Sequence, residues 1–357
     1  MTTRKFHGLR AFQAVVLAGI VVLMMAPAPV HAQQAPWLTA DVRAVTDDQP
    51  RDALLLRIEY GRYLTPDVTI AARALAERIE SRATVEPGLT GTLAIPSARI
   101  GAALTASAQF GAPGGGIELL GDARVSRALG AGTALRARFS RDRYTATLAS
   151  LDTVVLAHGV EFAIDRAGAP GWAGELLVRR EMYGDDNPVS TAFVWLLAPL
   201  SRAARHSLRA GYAAGWQDAA QSNWVPDDAR RGPPRGPLAT SPDSIPGSYA
   251  PYYTPHDVIT HSVLANAAVE LRGAWLILDG AYGVYATELA PVLQRGTGGD
   301  VERLYHRRTF SPARAKLTLA VPLGAMTSFT AEAEHQRTAY FRQTGVRIAV
   351  ARSLGGS

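Results

Sequence analysis

Polar and apolar residues alternate one by one along most of this chain. From Ala313 to Leu323, Ala313, Ala315, Leu317, Leu319, Val321 and Leu323 share one phase, and Arg314, Lys316, Thr318 and Ala320 share the other. Successive side chains of a strand point to opposite sides of the sheet, so this spacing predicts one apolar and one wet face. The division recurs in Leu54, Leu56, Ile58 and Tyr60 against Arg57 and Glu59, and in Leu135, Ala137 and Phe139 against Arg136 and Arg138. Leu208, Ala210, Tyr212, Ala214 and Trp216 oppose Ser207, Arg209 and Gly211, while Val346, Ile348 and Val350 oppose Arg347 and Ala349. A helix would put these charges on both sides of its apolar stripe. Asp67 to Arg82 has two readings. Ile70, Ala74, Leu75 and Ile79 fall at helical spacing behind Asp67 as an N-cap, whereas the alternation on either side favours a strand.

Counted from Trp37, the segments number about 16, each roughly 10 to 14 residues long, or about 14 if 67–82 is not a strand. Strands of soluble domains usually run to about 5 or 6 residues, while a tilted transmembrane strand needs about 9 to 11. A sheet this large with one continuous apolar face must bury that face. A closed barrel in lipid does so and removes the sheet edges as well. The predicted fold is therefore all-β, a transmembrane antiparallel up-and-down β-barrel. The connections give a separate test, since a bacterial barrel keeps both termini in the periplasm and its long loops outside. The longest connections, 217–256 and 288–307, follow the eleventh and thirteenth strands. Short turns at Leu64–Asp67, Arg272-Gly273 and Pro322–Ala325 follow even-numbered strands, as that orientation requires. A secreted sandwich or propeller would show shorter strands and a repeated blade motif, and no such repeat occurs. The chain ends in Ser353-Leu354-Gly355-Gly356-Ser357, without the terminal aromatic of many such barrels.

Residues 1–32 read as a signal peptide. Arg4, Lys5 and Arg10 precede an apolar run from Ala11 to Met25, and Val30-His31-Ala32 offers a cleavage site, leaving 33–357 as the barrel. Pro27 and Pro29 argue against an uncleaved anchor. The chain has no cysteine, which suits an oxidising compartment. The expected location is the cell outer membrane, with lipid as its first partner. The formal net charge of +6 falls by three once the basic residues of the leader are set aside, too little to indicate nucleic acid.

The wet phase carries Arg57, Glu59, Arg73, Glu118, Asp122, Arg124, Arg136, Arg138, Glu175, Arg179, Glu181, Arg209, Asp279, Arg314, Lys316, Glu332, Glu334 and Arg347. Both signs occur in similar number, whereas an anion or cation pore shows an excess of one. The expectation is a hydrated lumen whose charges pair across strands, or a passage for neutral and mixed-charge solutes, sugars included. The 217–256 connection holds Trp224, Tyr249, Tyr252 and Tyr253. Their rings could stack on sugars, could stand at the membrane interface as a girdle, or could belong to an unstructured surface loop.

Three short motifs carry a resemblance. The Tyr252-Tyr253-Thr254-Pro255 step into a strand resembles the aromatic-aromatic-Ser/Thr-Pro step in the C-terminal barrel of the bacterial cellulose synthase outer-membrane subunit. Arg143-Tyr144-Thr145-Ala146 with Ser150-Leu151-Asp152, and Tyr183-Gly184-Asp185-Asp186-Asn187, are similar to the same class of exopolysaccharide-export barrels. The resemblance covers about 130–290 and implies a channel for a polysaccharide leaving the cell. Those exporters carry a long helical-repeat arm in the periplasm, and about four residues precede the first strand here. The resemblance therefore implies a separate periplasmic delivery protein.

No H-E-x-x-H and no G-x-S-x-G occurs, so neither an enzyme nor a cofactor is expected. His256, His261 and His306 with Asp257 could gather round a metal, and Glu332 and Glu334 share a face as a glycosidase pair would. Solvated loop histidines and ordinary lumen carboxylates are the simpler readings, and the expectation is no metal and no catalytic residue. The alternative to a channel is a plugged barrel acting as an adhesin, a scaffold or a small outer-membrane enzyme.

Overall fold

The structure, a computed structural model, describes residues 35–354 except 48–51, 66–67, 80–81, 96–99, 111–116, 131, 145–154, 167–170, 227–243, 246 and 297–299. The expected signal peptide, residues 1–32, lies outside the described residues. The strands are β1 (Trp37–Asp47), β2 (Ala53–Thr65), β3 (Val68–Ile79), β4 (Arg82–Ile95), β5 (Ile100–Phe110), β6 (Ile117–Gly130) and β7 (Thr133–Arg143). They continue as β8 (Leu156–Arg166), β9 (Ala173–Tyr183), β10 (Pro188–Ala203) and β11 (His206–Ala219), then the short β12 (Trp224–Pro226), β13 (Ser244–Ile245) and β14 (Gly247–Tyr249). Last come β15 (Val258–Leu271), β16 (Ala274–Arg295), β17 (Val301–Thr309), β18 (Ala313–Pro322), β19 (Thr327–Arg337) and β20 (Arg342–Ser353).

Eighteen strands share one antiparallel sheet, and β12 pairs only with β14. Setting aside β13 and β17, which pair only with the far part of β16, sixteen strands remain, each bonded to the next. The ladder returns on itself because β1 pairs with β2 on one side and with β20 on the other, from Trp37↔Ser353 to Asp47↔Gln343. The chain therefore forms a sixteen-stranded barrel. Residues 68–79 are a strand, paired with β4 along its length and with β2 through one register shift between Tyr63 and Thr65. Local helical spacing there yields to two ladders, which bond the backbone on both sides.

Directly paired residues share a face, so the register assigns the phases without ambiguity. Phe162, Leu176 and Val178 are 58%, 50% and 53% exposed on one phase, the outer one. Arg136, Arg138, Glu175 and Arg179 occupy the other. Short turns join strands at the end where the termini meet, where the Leu354 N–H donates to the Pro36 carbonyl at 2.7 Å. Arg272 and Gly273 both adopt positive φ (52° and 85°), the geometry of a two-residue hairpin turn between β15 and β16.

The opposite end carries the long connections. The stretch 288–307 is less a loop than a hairpin: β16 runs on to Arg295 and pairs with β17 from Thr287↔Thr309 to Arg295↔Val301. Ala290, Val292 and Leu293 are buried there, and Leu293 faces Ile245 across the β13 pairing. Apolar burial against the short β12 and β13 thus explains why the strand continues above the barrel wall.

Candidate functional site

The interior is a set of interlocked ion pairs. On the wall formed by β18, β19, β20, β1 and β2, Lys316 Nζ lies 2.7 Å from Glu332 and Arg57 Nε 2.8 Å from Asp41. Arg347 stands between them, 3.4 Å from Glu332 and 3.6 Å from Asp41. Arg314 Nε is 2.7 Å from Glu334. All of these groups except Arg314 line a cavity of ≈ 430 Å³ shared by strands on both sides of the β1–β20 seam, which places them on the concave side of the sheet. The facing wall repeats the theme. Arg136 bonds Asp165 at 2.6 Å and Glu175 at 2.5 Å, Arg124 lies 2.6 Å from Asp122, and Arg179 pairs with Glu181. Arg138 lies 3.6 Å from Asp142 and 3.8 Å from Asp122. Pairs of this exposure are each worth about 0 to 1 kcal/mol, so they shape the lumen's field more than they hold the barrel together.

The remaining interior candidates are placed as follows. Glu59 lies 3.5 Å from the Trp37 indole N–H, and Asp279 accepts a bond from Asn266 at 2.7 Å. Arg209 is paired in register with Asn266 and makes no ion pair among the described residues. The inner phase of β10 is largely apolar, since Leu177 pairs with Phe193 and Glu175 with Trp195. One stretch of wall is thus greasy while the seam side is charged.

Above the lumen, the described parts of the connection between β11 and β15, 220–226, 244–245 and 247–257, lie across the mouth. Tyr252 is 1% exposed and stacks on Tyr183, at the end of β9, with ring centroids 3.8 Å apart and planes 10° apart. Its hydroxyl donates to Asp185, with 2.6 and 2.8 Å to the two carboxylate oxygens. Tyr144, at the end of β7, meets both rings edge-on, and its hydroxyl accepts from the Tyr253 N–H at 3.2 Å. Asn187 ties the same corner to Gln221 by two bonds, of 3.0 and 2.9 Å. On the other side Tyr253 and Tyr249 pack on Tyr340, at centroid distances of 5.3 and 5.2 Å. Tyr340 sits in the turn between β19 and β20. In a ring of sixteen, that turn is about half the circumference from β7 and β9.

The aromatic group is therefore a clasp joining opposite walls. Arg308 lies over the Tyr340 ring at 4.4 Å and pairs with Glu288, which is 1% exposed and also hydrogen-bonded by Tyr340 and Tyr253. Arg303 donates to the Trp224 carbonyl at 2.7 Å, and Trp224 packs edge-on against Tyr249. Burial pushes the Tyr249, Tyr253 and Tyr340 hydroxyls above their usual range, so they remain donors at neutral pH. Burial also raises the Glu288 carboxyl, by more than the neighbouring Arg308 lowers it. His256, set against Tyr305, is held below its ordinary value by burial.

Trp224, Tyr249, Tyr252 and Tyr253 thus form neither an interfacial girdle nor an unstructured surface loop; they are packed together across the mouth. A girdle stands on the outer face, as Tyr212, His261 and Tyr285 do here, His261 being bonded to the Tyr212 hydroxyl. His256 and His261 are separated by that inside–outside division, and His306 faces Ala290 in the β16–β17 hairpin. The motif residues Tyr144, Tyr183 and Tyr252 meet in one cluster, while Ser150-Leu151-Asp152 falls outside the described residues. The alternation pattern missed Tyr340, Arg308, Glu288 and the interior pair Phe193 and Trp195. Of these only Trp195 and Phe193 left a signal, two bulky aromatics at i, i+2.

No protein-family model matches the chain, and no curated protein does. Among solved structures, the chain is similar to one described as a bacterial polysaccharide outer membrane secretin. That match has 8% identity and a TM-score of 0.63, covering 90% of this chain and 99% of that one. The fold is that of an outer-membrane β-barrel. The chain is also similar to CdiB from Acinetobacter baumannii, with 9% identity, a TM-score of 0.48 and coverage of 89% and 60%. A third likeness is to Pseudomonas aeruginosa OccK8 (OprE), with 9% identity, a TM-score of 0.43 and coverage of 91% and 99%. At these identities the likeness is one of fold.

Proposed function

We propose that the protein is an outer-membrane channel through which a polar solute, a polysaccharide chain in the specific form of the proposal, passes under control of the aromatic clasp. The observation that carries the reading is the clasp itself: self-packed tyrosines spanning a mouth above a lumen lined by charges. A barrel serving only as an inert anchor has no need for a hydrated interior with a separate closure. Two further points support a glycan as cargo. The motifs that resemble cellulose-export barrels are the ones that meet at Tyr144, Tyr183 and Tyr252. A solved structure that shares the fold at a TM-score of 0.63 is described as a bacterial polysaccharide outer membrane secretin. In this reading the clasp faces outside, both termini face the periplasm, a separate periplasmic protein delivers the chain, and the barrel performs no catalysis.

The same clasp favours a second reading, a permanently plugged barrel that acts as an adhesin or scaffold. Single-channel recording separates the two. The refolded barrel and a Tyr340→Ala, Arg308→Ala variant are compared in planar bilayers. Rare openings that become frequent in the variant, and are blocked by added oligosaccharide, are the expected result. A variant that stays silent while its strand signal is intact overturns the channel.

A further inference from the structure

The seam cavity is lined by four basic side chains, Arg43, Arg57, Lys316 and Arg347, against three acidic ones, Asp41, Glu332 and Glu334. Arg43 on β1 points into it, is exposed there, and makes no ion pair among the described residues. Its direct cross-strand neighbour is Arg347, a like charge that should repel it. The nearby carboxylates are already engaged, Asp41 with Arg57 at 2.8 Å and Glu334 with Arg314 at 2.7 Å. Two guanidinium groups side by side with one uncommitted make a seat for an anion. Planar guanidinium suits a carboxylate better than a spherical ion, because two parallel N–H bonds can meet two oxygens.

The surroundings suit a sugar. Gln336 and Gln343 face each other across β19 and β20 on the same inner phase, supplying amide donors and acceptors for hydroxyls. Gly345 lies next in that phase and leaves the floor open, with Ala44 O and Val45 Cγ2 both 3.6 Å from where a Cβ would stand. The cavity's ≈ 430 Å³ falls in the range of small-ligand pockets. It lies immediately beneath the turn that presents Tyr340 to the clasp, because Gln336 and Gln343 flank that turn.

From this the geometry points to a binding subsite for the acidic unit of a glycan, a uronic acid residue, with Arg43 and Arg347 on its carboxylate and Gln336 and Gln343 on its hydroxyls. The inference rests on the channel reading and narrows it from polysaccharide to acidic polysaccharide. Its place under the clasp makes it the first station a chain meets from outside, or the last it leaves.

The test measures binding rather than passage, so that it fails separately from the channel. The full mature barrel, refolded in detergent with both ends open, is titrated by calorimetry with oligogalacturonate and with neutral cello-oligosaccharide. Expected are oligogalacturonate binding that weakens with salt, weaker or no binding of the neutral oligomer, and a loss of about tenfold or more in Arg43→Gln. Arg43→Lys, which keeps the charge but not the fork, should lose less, and Gln343→Ala should weaken binding by a smaller factor. Arg209→Gln, an interior arginine elsewhere, distinguishes a site from a general field. Equal loss in Arg43→Gln and Arg209→Gln overturns the site. So does equal binding of the neutral oligomer, or no binding of either. Complete displacement of oligogalacturonate by equimolar inorganic phosphate overturns the sugar part, leaving a simple anion seat. A barrel that binds oligogalacturonate yet stays silent in bilayers would instead refute the channel while keeping the site.

Discussion

Tyr252 is the position at which the clasp can be loosened in measured steps. Its ring stacks on Tyr183 at 3.8 Å and meets Tyr144 edge-on at 6.1 Å, and its hydroxyl donates to Asp185. Tyr252→Phe removes only the hydrogen bond to a charged acceptor, worth about 1.5 to 3 kcal/mol. Tyr252→Ala removes the ring as well, and a buried aromatic replaced by alanine costs about 3 to 5 kcal/mol. At about 1.4 kcal/mol per factor of ten, the closed-to-open ratio should fall roughly ten- to a hundredfold for Phe and on the order of a hundred- to several-thousandfold for Ala. Open probability in planar bilayers reads this directly, with far-UV circular dichroism confirming that the barrel wall is intact. Combining Tyr252→Ala with Tyr183→Ala should add far less than the sum, because both remove the same stack. If Phe and Ala leave open probability at the wild-type level, or if Phe opens the mouth as far as Ala does, the clasp is not held shut by these contacts and the argument fails.

Acid should loosen the same structure through His256. Burial depresses its value against the attraction of Asp218, and Arg303 pushes in the same direction as burial. The neutral ring is therefore favoured in the closed mouth: closure is fully supported above pH about 6.5 and weakens as pH falls through the depressed value. Glu288, raised by burial, works in the opposite sense, so the histidine effect is the difference between wild type and His256→Asn; identical acid responses of the two would exclude it. Glu332→Gln removes the carboxylate shared by Lys316 and Arg347, and the reversal potential of a clasp-opened barrel should move towards anion selectivity, most at low salt. An unchanged reversal potential would mean that this wall does not face the ion path. Phe162→Arg on the outer face should cost about 2 to 4 kcal/mol in lipid, read as a lower urea midpoint, and no change would deny that this phase meets the bilayer.

The two faces of the wall were legible because a period of two leaves no freedom: once Leu135 and Phe139 take one face of the sheet, Arg136 and Arg138 must take the other. The strand over 68–79 could be reached only by giving its neighbours more weight than its own alanine-rich, helix-like spacing. The clasp was legible in composition but not in place. Tyr252 and Tyr183 are stacked although 69 positions separate them in the chain, and no local pattern tells an interfacial tyrosine from one turned across a mouth. Tyr340 sits in a turn of a few residues, too short for periodicity to speak. Trp195 and Phe193 were obscured for a different reason: β10 is apolar on both phases, so alternation cannot say which side is wet.

The seam between β1 and β20 joins residues more than three hundred positions apart, Trp37 to Ser353. Every other wall contact of the ring can form between neighbours as the chain comes together, whereas this one waits for the whole circuit. Its outer row, Ala40 and Val350 flanked by Leu38, Ile58 and Phe329, is a buried apolar strip that has no partner until the ends meet. Until then both edge strands present bare donors and acceptors to any strand nearby. The twelve residues of β20 therefore act as the fastener of the molecule, and a chain without them would keep its other strands yet remain an open, self-adhesive sheet.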